Sequence, residues 1–310
     1  MARTVRGTSA VLFAVAAASF APRCAIAVVP FSVAADSSAA RRAVPGPPWA
    51  GESGRLRAVV AIAGGEALDL VLALVPWMIP PLSLRFELPG VHELGAFAPD
   101  GMPFQLLSLL PFNAKRGNWL GSYRVGRWPQ ETGTSPSGYG PPRGFIEVNA
   151  LSQNAFVSTR FRLRDFLTHD QADVWPKYLV LRLPLVDKLE LVADALERAG
   201  RPSAVRIMSG FRTPQYNVQG VGPRGGRAAD SRHIYGDASD IFVDADGDDR
   251  MDDLDRDGRV TLADAQWLAA LVDSVEARHP DLVGGLAAYP ATADHGPFVH
   301  TDVRGRAARW

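Results

Sequence analysis

Nine of the twenty-one residues from 244 to 264 are aspartate. A run this dense in one charge cannot enter an apolar core, because desolvating unpaired carboxylates costs far more than their burial returns. The segment must stay a solvated turn or wrap its oxygens around a cation. Part of it has the spacing of a cation loop. Asp253, Asp255, Asp257 and Asp264 stand at positions 1, 3, 5 and 12 of a twelve-residue stretch, with Gly258 at 6, Val260 at 8 and Thr261 at 9. This is the EF-hand pattern, residues 253–264, in which carboxylates and the backbone carbonyl at position 7, here Arg259, surround calcium. Aspartate at position 12 in place of glutamate shortens the reach and lowers the expected affinity. Asp244, Asp246 and Asp248 begin the same pattern, but Asp249 stands where the glycine is expected. A helix is predicted over 265–277.

The rest of the chain has the means to build a core, with 47% hydrophobic residues in 310. Lys plus Arg and Asp plus Glu both number 33, which excludes a protein that binds nucleic acid through bulk positive charge. Residues 1–27 have the layout of a secretory signal peptide: Arg3 and Arg6, an uncharged apolar run over 10–20, and Ala25-Ile26-Ala27 as a cleavage site. The expected location is periplasmic or secreted, with no transmembrane segment after cleavage. The single cysteine, Cys24, lies in the leader, so no disulfide can form within the chain. Residues 28–56 read as a flexible tether and 57–145 as a small, mostly β N-terminal module. In that module the apolar stretch 70–84 is interrupted by Pro76, Pro80 and Pro81. Residues 146–310 read as an α+β domain, a small antiparallel sheet with flanking helices. A helix is predicted over 184–199 from Leu185, Val186, Leu189, Val192 and Leu196, and strands over 204–208, 240–244 and 298–303.

Metal chemistry concentrates at three positions. His233 and Asp240 are seven residues apart, with Gly236, Ala238 and Ser239 between them, so a loop can turn a histidine back onto an aspartate that opens a strand. Strand alternation puts Asp240 opposite in face to Ile241 and Val243, and His300 and Asp302 opposite to Val299, Thr301 and Val303. Pairing the two strands brings His233, Asp240 and His300 to one point. Two imidazoles and one carboxylate make a catalytic zinc set with its fourth place left for water. The spacing by itself leaves open a chance His–Asp pair.

Ser209-Gly210-Phe211-Arg212, then Ser231-x-His233-x-x-Gly236-x-Ala238-x-Asp240, then Phe298-Val299-His300-Thr301-Asp302 resemble the zinc D-alanyl-D-alanine carboxypeptidases over about residues 150–310. That family includes the vancomycin-resistance dipeptidases, phage endolysin peptidases and the hedgehog domain. Its periplasmic murein endopeptidases are the most similar branch, sharing a Tyr-Pro like Tyr289-Pro290 before the last motif. The resemblance implies the hedgehog-type metallopeptidase fold, zinc on His233, Asp240 and His300, and a peptidoglycan stem peptide as substrate. It places Arg212 by the cleft, as the anchor of a substrate carboxylate or oxyanion or as a structural ion-pair partner. Ser231 either binds within the site or caps the loop. Many members carry a glutamate three residues before the last zinc histidine; here that position is Pro297. The base is therefore sought at Asp302, which could instead orient His300, or at Asp294 or His295, with His295 also a transition-state donor. The implied function is an exported zinc carboxypeptidase or endopeptidase, its zinc strand supported by structural calcium. The alternative is a non-catalytic zinc- and calcium-dependent wall or adhesion binder on the same fold.

Overall fold

The computed structural model describes residues 89–91, 107–134, 139–222 and 225–310, and outside these only the backbone of a few strands. The leader at 1–27, Cys24, the tether at 28–56 and the apolar stretch at 70–84 lie outside the described residues. The main elements are strands β1 (Val59–Ala63), β2 (Gly90–Phe97), β3 (Pro103–Pro111), β4 (Gly144–Val148) and β5 (Lys177–Leu179). Helix α1 (Leu183–Arg198), β6 (Val205–Ser209), β7 (Ala238–Val243), α2 (Leu262–Arg278), β8 (Gly285–Tyr289), β9 (Phe298–Asp302) and β10 (Ala308–Arg309) follow. The molecule is mixed α+β with small, largely antiparallel sheets. No helix among the described residues is long and apolar enough to cross a membrane.

The C-terminal sheet has the order β6-β7-β9-β8-β10, antiparallel except where β10 joins β8. Helix α2 lies against β8 and β9, and α1 packs on α2. The five apolar positions predicted for α1 are all buried. Each such side chain contributes about 1.5–3 kcal/mol on leaving water. Pro184 sits in the first turn of α1, where its missing N–H costs no hydrogen bond. Alternation along β7 and β9 sends Ile241, Val243 and Val299 into the same core as Leu268, Val272 and Val275 of α2, and leaves Asp240 and His300 on the opposite face.

The boundary expected at 145/146 falls inside β4, and one hydrophobic core runs across it. Strand β4 pairs with β3 on one side and β5 on the other. Tyr123, Val125 and Trp128 are fully buried. The ring of Trp128 meets Phe112 at 5.3 Å and Phe145 at 5.6 Å. Residues 107–134 thus belong to the body that carries the site.

Candidate metal centre

Asp240 of β7 stands directly opposite His300 of β9 in the antiparallel register. His233 arrives from a tight turn over Arg232–Tyr235. Gly236 ends that turn at φ +68°, and a methyl group there would overlap the backbone carbonyl of Val180; only glycine satisfies both conditions. The turn is held from outside the motif. Trp128 Nε1 donates to the Ile234 carbonyl at 2.8 Å. Arg232 pairs with the buried Asp237 and lies 3.7 Å over the ring of Tyr139.

Three candidate ligand atoms converge. His233 Nε2 is 3.2 Å from His300 Nδ1 and 3.2 Å from Asp240 Oδ1, and His300 Nδ1 is 3.0 Å from Asp240 Oδ1. Ligands about 2.0–2.1 Å from a tetrahedral ion sit ~3.3 Å from one another, so these atoms outline one face of such a polyhedron. Both far nitrogens are engaged. His233 Nδ1 donates to the Gly210 carbonyl at 2.7 Å, and His300 Nε2 donates to Asp302 Oδ2 at 3.3 Å. Each ring is thereby fixed with its lone pair turned inward. Burial pushes the His233 imidazole below its ordinary pKa, which favours the neutral, ligating form. Burial opposes the charge of Asp240, but His233, His300 and Arg212 hold its carboxyl well below the usual range.

The remaining residues singled out in the sequence fall into place around this triangle. Arg212 pairs with Asp240 Oδ2, and its Nε donates to Ser209 Oγ at 2.8 Å. This is the contact of the ion-pair alternative, made to the carboxylate of the candidate ligand Asp240. Ser231 is buried ahead of the His233 turn and makes no side-chain cap. Asp302 meets the His300 nitrogen that is not part of the triangle, the contact of the orienting alternative. Its oxygens take the Gly285 N–H at 2.8 Å, Arg304 Nε at 2.9 Å and His300. Burial works against its charge, yet those donors keep it far below the ordinary carboxylate range. The placement is that of an orienting partner. A methyl group on Gly285 would run into Asp302 and Arg304. The His295 ring donates from Nδ1 to its neighbour's carbonyl, Gly296, at 2.8 Å and sits edge-on to Phe298 at 5.0 Å. Asp294 is exposed in the same loop. Neither His295 nor Asp294 bonds a member of the triangle among the described residues. Removing Asp302 by Asp302→Ala is expected to weaken zinc binding about 10–100-fold, while His295→Ala leaves it unchanged. Competition with a chromogenic chelator measures both.

The acidic segment folds into two turns of one design. Asp253, Asp255 and Asp264 bring an oxygen each within 4.8 Å of one another, as do Asp244, Asp246 and Asp248. Calcium bonds of about 2.4 Å accommodate that spread. Asp257 turns its Oδ1 to the Arg259 N–H at 2.8 Å. Arg256 and Gly258 are left-handed at positions 4 and 6 of the second turn; Gly247 and Asp249 are left-handed at the same positions of the first. Aspartate tolerates that region, so Asp249 takes the conformation for which glycine was expected. Asp264 closes the second turn by accepting from Leu254 N–H at 2.7 Å, and it also accepts from Thr261 N–H at 2.7 Å to cap α2. Calcium held in these turns would add ~2.7 kcal/mol by linkage at a hundredfold excess of ligand, so its withdrawal is then expected to lower Tm by about 5–10 °C. Scanning calorimetry with a calcium-selective chelator measures it, with zinc content unchanged.

Sequence reasoning missed most of the support behind the triangle. Lys188, fully buried on the apolar stripe of α1, pairs with Glu276 of α2 and donates to the Asp302 carbonyl at 2.8 Å. Arg309 of β10 holds the other oxygen of Glu276 at 2.5 Å. The ring of Trp310 lies 5.4 Å from that of His300. A lone lysine among helical apolar positions is the one signal that pointed there. No protein-family model, no curated protein and no solved structure matches the chain.

Proposed function

We propose that this chain is an exported zinc metallopeptidase of the hedgehog/D-Ala-D-Ala type, which hydrolyses peptide bonds in peptidoglycan stem peptides. The carrying observation is the triangle of His233 Nε2, Asp240 Oδ1 and His300 Nδ1, with edges of 3.0–3.2 Å and both far nitrogens bonded. A mixed His₂Asp set at this spacing suits zinc and leaves a fourth place free. Zinc held there would supply a water of lowered pKa and polarise the substrate carbonyl. His233 and His300 present their lone pairs inward. Asp302 keeps the proton on His300 Nε2, so that ring cannot turn away. Arg212 occupies the second oxygen of Asp240, which leaves the first as the ligand. The leader at 1–27 supports action outside the cytoplasm, and calcium in the 253–264 loop is the structural partner. Incubating the purified protein with muropeptides, with zinc and calcium counted separately, tests the proposal. New fragments that depend on zinc are expected; binding without cleavage would favour the wall-binding alternative.

A further inference from the structure

We propose that the cleft along β6 receives an extended, acidic peptide arm of the substrate, added as a strand to the free sheet edge and gripped at its carboxylates by Arg206 and Arg250. This rests on the peptidase reading of the triangle and adds which peptides that site accepts.

The cleft measures about 550 Å³, and four consecutive residues of β6, Val205, Arg206, Ile207 and Met208, line it. Strand β6 is the outer strand of its sheet. The Asp244 N–H donates to the Ala204 carbonyl at 3.0 Å, so antiparallel alternation makes Arg206–Phe242 the next bonded pair. The N–H and C=O of Ile207 therefore face outward, and neither has a backbone partner beyond the sheet among the described residues. An extended peptide satisfies such an edge by strand addition.

The strand also leads to the chemistry. Ser209, at its end, pairs in register with Asp240. Phe242, which lines the cleft, is two residues from Asp240 on the same face of β7. At about 3.3 Å per residue, the run from Val205 to Ser209 spans ~13 Å, room for about four residues of a bound peptide.

Charge selects the occupant. Five arginines and three aspartates line the cleft. Arg160 is taken by Glu190, Asp194 and Glu197. Arg206 is half exposed and only loosely matched, 3.6 Å from Asp244 and 3.3 Å from Asp249. Arg250 is exposed, and among the described residues its guanidinium has no hydrogen bond or ion pair. A guanidinium fork suits a carboxylate in geometry as well as in charge. Met208, Phe242 and Met251 supply an apolar surface between these groups for aliphatic side chains.

The test is fluorescence anisotropy on the purified full chain, with zinc present and again with zinc withdrawn. The probes are a labelled stem-like tetrapeptide bearing two free carboxylates, its diamide, and a version methylated at one central amide nitrogen. The acidic peptide is expected to bind about 10-fold more tightly than the diamide. Arg250→Gln or Arg206→Gln brings the two together and leaves the diamide unaffected, and N-methylation weakens binding about 5-fold or more. Equal binding of acid and diamide, or a preference indifferent to both substitutions, overturns the carboxylate grip. An N-methyl peptide that binds like its parent overturns the added-strand pose. Acidic peptides bound but never cleaved with zinc present would sink the peptidase reading and leave the cleft assignment standing. Cleavage without any acid preference would do the reverse.

Discussion

Protein carrying His233→Ala is expected to lose its zinc on purification and to cleave stem peptides at least about a thousand-fold more slowly, equivalent to ~4 kcal/mol of transition-state stabilisation. His233 would contribute one of three candidate ligand atoms, and its Nε2 lies 3.2 Å from each of the other two. A water molecule can fill the gap in coordination, but it cannot replace a ring anchored through Nδ1 to Gly210. Because His233 sits in a turn and not in either strand, the pairing of Asp240 with His300 should survive. Circular dichroism should therefore stay near that of the parent while bound zinc, counted by atomic emission, falls towards zero. A variant that retains its zinc and its rate would remove the basis for assigning the triangle.

The second large effect is on stability. Glu276→Ala leaves the ammonium of Lys188, fully buried on α1, without its carboxylate partner. Breaking one side of a buried pair costs about 3–5 kcal/mol, because the surviving charge stays desolvated. For a chain of this size that corresponds to a fall in Tm of ~10 °C. The double variant Lys188→Met with Glu276→Leu should recover most of the loss, since an apolar pair of similar volume removes the stranded charge. Calorimetry on the three proteins separates this account from one in which Glu276 matters only for shape. The double variant also removes the Lys188 donor to the Asp302 carbonyl, so zinc affinity should drop in it more than in a surface control.

The triangle was legible because a strand's period of two ties face to position. Once His300 and Asp240 were each placed in an alternating run, their opposition followed from pairing alone. The helix at 183–198 was legible for the same reason at a period of 3.6. The support was not legible, because it joins segments through single contacts with no period. Nothing local to Trp128 shows that its indole reaches the Ile234 carbonyl, 106 residues on. Asp302 had two roles open in the sequence, because spacing does not show which imidazole nitrogen it meets; in the structure it is Nε2 of His300. At Asp249 residue type hides the backbone: the preference for glycine concerns a conformation, and aspartate adopts it here.

Helix α2 runs from the acidic turns towards β9, the strand of His300. Seventeen residues make a rod about 25 Å long. One end is fastened by Asp264 to the loop at 253–264, the other by Glu276 to Lys188 and so to Asp302. A rod fastened at both ends couples them, so slack at the loop would reach β9 as a tilt of the shaft. Heat or a chelator applied at the far surface would therefore register at His300 as a change of aim.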